Sequence, residues 1–229
     1  MTTPTAPPYG TPETPRISVR GEAHLDVDPD IAHIGITITT RNTDRTTALQ
    51  DLTRRNNQAL ELLRSYGNTI EKLETGTFTV IPQFADKGRS DRVRSYHGSI
   101  HLTATLSDFT TLGELATRLA DLENTRIDGP WWALRPDSPA HRTARTQAVQ
   151  EAVQRAREYA EALGAHLVAL TELADDTTDH YPSAGAAAGM TRTAGYGGPD
   201  PTPALDLEPQ RQTVSAQVNA RFTMTRPQL

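Results

Sequence analysis

The chain has 229 residues, a net charge of −5, 36% apolar and 22% charged residues, and no cysteine. That length builds a real core in one large domain or two small subdomains. Without cysteine there are no disulfides, thiolate nucleophiles or cysteine-ligated zinc. The 21 arginines and two lysines are scattered, so the basic stripe expected of a nucleic-acid binder is missing. No run reaches the roughly 18 apolar residues that suggest a membrane span. The opening MTTPTAPPYGTPETP has neither the basic nor the apolar region of a secretory signal. Residues 1–15 read as a disordered Pro/Thr-rich tail, and the expected location is cytoplasmic.

In chain order, Ile17 to Val27 suits a strand. Alternation resumes from Ile31 to Thr40, with Ala32, Ile34, Ile36 and Ile38 on one face and His33, Gly35, Thr37 and Thr39 on the other. Asp28-Pro29-Asp30 between them is turn chemistry, so these two strands are expected to form a hairpin. Thr43 or Asp44 can cap a helix to about Tyr66, with Ala48, Leu49, Leu52, Asn56, Ala59, Leu60 and Leu63 facing inward. Gly67 ends it. IEKLETGTFTVIPQF and VRSYHGSIHLTATL flank the polar turn ADKGRSDR and read as a long hairpin.

Ser107 or Asp108 is expected to cap a second helix, whose stripe is Phe109, Leu112, Leu115, Ala116, Leu119 and Leu122. A short strand from about Ile127 to Leu134 contains Trp131 and Trp132. The strongest helix signal runs from about Ser138 to Leu163, with Ala148, Val149, Ala152, Val153, Ala156, Tyr159, Ala160 and Leu163 inward, and Gly164 stops it. AHLVALTELAD is a strand. Residues 176–209 are rich in Ala, Gly, Pro and Thr and read as a flexible loop. RQTVSAQVNARFTM alternates as a closing strand, and 225–229 is a tail. The order β-β-α-β-β-α-β-α-β-β predicts an α+β fold with mixed, largely antiparallel sheets and three helices.

Four stretches carry a resemblance: ISVRGEAHLDVDPDIAHIGITI, TGTFTVIPQF, ARTQAVQEAVQRAREYAEALGAHL and LEPQRQTVSAQVNARFTM. In this order, spanning Arg16 to Met224, they resemble the SIMPL-domain family, which includes a periplasmic antigen and oxidative-stress defence proteins of bacteria. The resemblance implies one SIMPL-like domain over 16–224, no enzymatic activity, and oligomers that in some members are ring-like or channel-like. It also implies an association with oxidative stress and DNA-damage responses, and in animal members with kinase-associated signalling. The chain departs from secreted members in its signal-free start, and in its Trp131-Trp132 pair where the family tends to show one aromatic.

Asp26, Asp28 and Asp30 alternate like a calcium loop, but counting from Asp26 the sixth residue is Ile31 and the twelfth Thr37, where such a loop needs Gly and an acid. A turn explains them better. His97 and His101 lie four strand residues apart, about 13 Å, too far to share a metal. His24 and His33 could be hairpin neighbours, but no carboxylate pattern completes a ligand set. Ser99 beside two histidines has no nucleophile-elbow context, and the glycines of AGAAAGMTRTAGYGG make no phosphate loop. No cofactor or metal is therefore expected. Trp131 and Trp132 must point to opposite faces of their strand, so one fills the core and the other meets a subunit or a ligand. The mixed-sign outer face of the third helix, with Glu151–Arg155 and Gln154–Glu158 at i,i+4, reads as solvated.

The expectation is a non-enzymatic protein that self-assembles through its sheet edges and the Trp131/Trp132 strand. The alternatives are a small-ligand module with a groove between sheet and long helix near those tryptophans, and an unrecognised hydrolase.

Overall fold

The computed structural model describes residues 10–84, 93–175 and 205–228. The chain divides into two compact units. Unit 1 takes its described residues from Met1–Asp28, Pro136–Ser183 and Arg211–Leu229; unit 2 takes them from Pro29–Arg135 and Ala184–Gln210. Described residues form strands β1 (Arg16–Val27), β2 (Ile31–Asn42), β3 (Ile70–Phe84), β4 (Val93–Leu106), β5 (Thr125–Ala133), β6 (Leu167–Asp175) and β7 (Gln212–Met224). The helices are α1 (Arg45–Ser65), α2 (Leu112–Ala120) and α3 (Pro139–Ala162). The α+β class and the element order are as the sequence pattern predicts, and every pairing among the described residues is antiparallel.

The expected first hairpin fails. β1 and β2 do not form a hairpin. β1 pairs with β7 in the sheet β1-β7-β6, and β2 lies between β4 and β5 in the sheet β3-β4-β2-β5. Asp28-Pro29-Asp30 is therefore the crossing from one sheet to the other. The reason is apolar matching over long ladders. β1 runs in unbroken register with β7 from Arg16↔Thr223 to Val27↔Gln212, placing Val19, Gly21 and Ala23 opposite Ala220, Val218 and Ala216. The β2 face Ala32-Ile34-Ile36-Ile38 is buried with Ile100, Leu102, Ala104 and Leu106 of β4.

Unit 1 is a three-stranded sheet under one helix. Ala144, Ala148, Ala152, Ala156 and Ala160 are all fully buried. They recur every fourth residue, so they form one ridge of small side chains along α3. That ridge lets the helix come down on the sheet at Gly21. A Cβ there would sit 2.6 Å from the Ala152 nitrogen and 2.7 Å from its Cβ, with the Ala148 carbonyl closer still. Tyr159, expected on this face, is 56% exposed instead, because the ridge of alanines, one residue round the helix, takes the contact. Gly164 adopts φ +62° and ends α3, with its N–H on Glu161 and that of Ala165 on Ala160. Residues 225–228 return to this end: the Thr225 N–H bonds the His166 carbonyl and the Gln228 N–H that of Leu163.

Unit 2 has four strands under two helices. Asp44 caps α1 by accepting the Thr47 N–H at 2.8 Å, and these contacts hold its carboxyl below its usual pKa. Ala48, Leu52, Ala59 and Leu63 are buried as expected, whereas Leu49 faces outward. Gly67, at φ +55°, follows α1 in a left-handed conformation. α2 begins later than its expected caps. Its N-cap is Thr111, and Asp108 instead closes a turn with the Thr110 N–H and hydroxyl. Leu205 lies against Gly113 of α2, and Leu207 packs on the core. Most of the expected tail 1–15 (residues 1–9) and of the expected loop 176–209 (residues 176–204) lies outside the described residues. Between Thr11 and Thr14 the backbone closes a turn with two reciprocal hydrogen bonds.

The Gly21 contact yields a prediction. Gly21→Ala forces α3 off the sheet and is expected to destabilise the protein by about 2 kcal/mol or more. Gly76→Ala, whose Cβ would meet nothing nearer than 3.5 Å, should shift stability by about 0.5 kcal/mol or less. Urea denaturation followed by circular dichroism measures both.

Candidate functional site

The two sheets leave four strand edges: β1 and β6 in unit 1, β3 and β5 in unit 2. An unpaired edge offers N–H and C=O groups to another chain, so proteins usually guard it. β1 is guarded. Glu151 of α3 accepts the Glu22 N–H at 3.2 Å, Arg155 donates to the Arg20 carbonyl at 2.7 Å, and Arg211 donates to the Asp26 carbonyl at 2.6 Å. Glu151 and Arg155 also pair with each other. Part of the helix face that reads as solvated is thus the cover of a strand edge. Farther along that face, Gln154 bonds Glu158 at 2.9 Å as its spacing suggests. β5 is guarded differently. It is nine residues long, breaks register between His33 and Gly35, carries Pro130, and holds the Arg126–Asp128 ion pair.

Among the described residues β3 and β6 lack side chains bonded to their free backbone as on β1, although both break register and hold an ion pair, Lys72–Glu74 and Glu172–Arg221, and both carry large exposed apolar side chains. Phe78 pairs with buried Ile100 yet is 52% exposed; Ile81 and Phe84 on the same strand are also exposed. Leu170 pairs with buried Phe222 and Leu173 with buried Ala220, yet they are 52% and 48% exposed, and Val168 is more exposed still. Phe78, Leu170 and Leu173 thus lie in register with core residues but outside the cover of their unit's helices.

The tryptophans separate as strand geometry requires. Trp132 turns inward and meets Phe109 edge-on, ring centroids 4.8 Å apart at 81°. Trp131 is 40% exposed on the opposite face. Its ring crosses Gly35, where a Cβ would lie 3.2 Å from the ring and 3.0 Å from the His101 imidazole. On this outer face His101 Nδ1 meets the Thr37 hydroxyl at 3.1 Å and His33 Nδ1 meets that of Thr105 at 3.0 Å. Burial, then Lys72, lower the pKa of His33, with Glu74 opposing. Neither imidazole has a hydrogen bond to a carboxylate among the described residues. His24 lies on β1 and His33 on β2, in different sheets, so the expected neighbouring pair does not form.

The aspartates also part company. Asp26 accepts from the Thr213 hydroxyl at 2.7 Å, Asp28 pairs with Arg211 at 3.6 Å, and Asp30 accepts the Arg135 N–H at 3.0 Å. Each is spent on a different structural contact. Among the described residues no group of three His, Cys, Asp or Glu could hold a metal ion, and no helix is long and apolar enough to cross a membrane. A shallow concavity lined by Leu49, Gln50, Thr53, Arg54, Asn57, Gln58 and Glu61 is the outer face of α1 and includes neither tryptophan. Sequence reasoning missed Arg55. It bonds the Glu123 carbonyl at 3.0 Å and pairs with its carboxylate, tying α1 to the entry of β5.

The SIMPL family profile, described as "Protein of unknown function (DUF541)", matches residues 17–222. The chain belongs to the SIMPL family. The match covers nearly all of β1 through nearly all of β7, so it takes in elements of both units of this SIMPL protein. No curated protein matches the chain.

Two outcomes follow. Trp132→Ala is expected to lose about 3 kcal/mol of stability, and Trp131→Ala clearly less, in urea titrations. For His33 the folded pKa lies below the reference 6.5, so the native state takes up the proton less readily than the unfolded chain. Its contribution is intact above about pH 6.5 and is lost as the pH falls through that value toward the folded pKa. Stability measured at pH 7.5 and 5.5 should fall less in His33→Gln than in the parent.

Proposed function

We propose that this SIMPL protein works by association, as a self-assembling scaffold or interaction protein, and not by catalysis. The observation that carries the reading is the exposed apolar side chains of two edge strands, where Phe78 on β3 and Leu170 and Leu173 on β6 lie in register with core residues and stay half exposed. Burying one such side chain is worth about 1.5–3 kcal/mol, enough for a few of them to hold copies together at working concentrations. The dispersal of the polar groups supports the same reading. The three opening aspartates serve separate contacts, and the outer-face imidazoles of His33 and His101 are each tied to a threonine. The family resemblance supplies the setting proposed for this association, oxidative stress and the DNA-damage response.

A second reading, a small-ligand module, is favoured by one feature: the half-exposed Trp131 ring beside His101.

Light scattering and native mass spectrometry test the first reading. Masses at multiples of 25.0 kDa that grow with concentration are the expected result. A monomer at every concentration would remove it. A tightly retained small molecule on a monomer would favour the second.

A further inference from the structure

We infer that β6 is the assembly edge and that its occupant is β6 of a second copy, related by a two-fold axis near Leu170; this rests on the association reading. A helix with its side chains is about 10–12 Å across, whereas three strands about 4.8 Å apart occupy about 14 Å. One helix therefore cannot cover the sheet of unit 1. The alanine ridge and Gly21 hold α3 over β1 and β7. The uncovered remainder is β6, with Leu170 and Leu173 on the core face and Val168 and Tyr159 exposed in the same unit.

A second copy has the same deficit at the same place. Antiparallel pairing of a strand with its own copy is self-complementary and closes as a dimer. The charges agree. Leu167 to Thr171 carries none, while Glu172 is neutralised by Arg221 of its own sheet at 2.6 Å. An axis N-terminal to Glu172 keeps the two copies of this carboxylate from standing opposite each other, an arrangement that destabilises sheets. β6 contains no proline, whereas β3, the other apolar edge, carries Pro82 in its regular stretch Phe78–Gln83 and so lacks an N–H there. Register shifts between Leu167 and Ala169 and between Leu170 and Glu172 break the β6 ladder. Pairing by backbone is therefore short, and the leucines supply most of the contact.

The chain has no cysteine, so a single introduced one reports its own neighbour. Leu170→Cys, on the axis, and an equimolar mixture of Ala169→Cys with Thr171→Cys, which the axis sets opposite each other, should each give a disulfide-linked dimer under mild oxidation, and Thr79→Cys on β3 should not. Leu170→Asp should raise the dimer dissociation constant at least tenfold by light scattering, with an unchanged far-ultraviolet dichroism spectrum. An oligomer that cross-links through Thr79→Cys and ignores Leu170→Asp would overturn the β6 assignment and leave association standing. A parent protein that stays monomeric throughout would overturn both.

Discussion

One helix can cover about two strands, and the rest of unit 1 follows from that limit. Small side chains sharpen it. Five buried alanines and Gly21 bring α3 so close to β1 and β7 that the helix has little reach beyond them. A row of leucines would have raised the helix and widened its footprint. The alanine ridge gives intimate packing over a narrow strip, and β6 is left at the margin. Unit 2 meets the same limit less severely. α1 lies over β2 and β4 and α2 against β5, and β3 is the strand left over.

Polar groups in this protein mostly do structural work at edges. Glu151 and Arg155 spend their charge on the free backbone of β1, and Arg211 does the same farther along. Arg55 fastens α1 to the loop before β5. Exposed ion pairs of this kind contribute about 0–1 kcal/mol each, less than the burial of one leucine. Their value here is directional. They close β1 to further strands and leave β6 as the edge of that sheet with no such cover among the described residues. The mixed charges of α3 thus bear on where another chain can dock, without being the docking surface.

Much of the fold was legible. Period-two and period-3.6 patterns located the strands and helices, glycines 67 and 164 marked the ends of α1 and α3, and the step from Trp131 to Trp132 gave one inward and one outward ring. Strand partners were less legible. Asp28-Pro29-Asp30 has the local chemistry of a hairpin turn, and only the competing ladder from Arg16↔Thr223 to Val27↔Gln212 shows that the chain crosses to another sheet there. The candidate site was legible only as composition. Leu170, Leu173 and Phe78 look in the sequence like any other core positions, because alternation says which face a side chain takes and not whether a helix reaches it.

By itself the sequence determined the elements, their order, the face each side chain takes and the family, since those depend on local geometry and on the spacing of apolar residues. Tertiary structure decided which strands are neighbours, which edges are guarded, and which core-face side chains remain uncovered. Those outcomes depend on contacts between residues far apart in the chain, and on the width of a helix set against the width of a sheet.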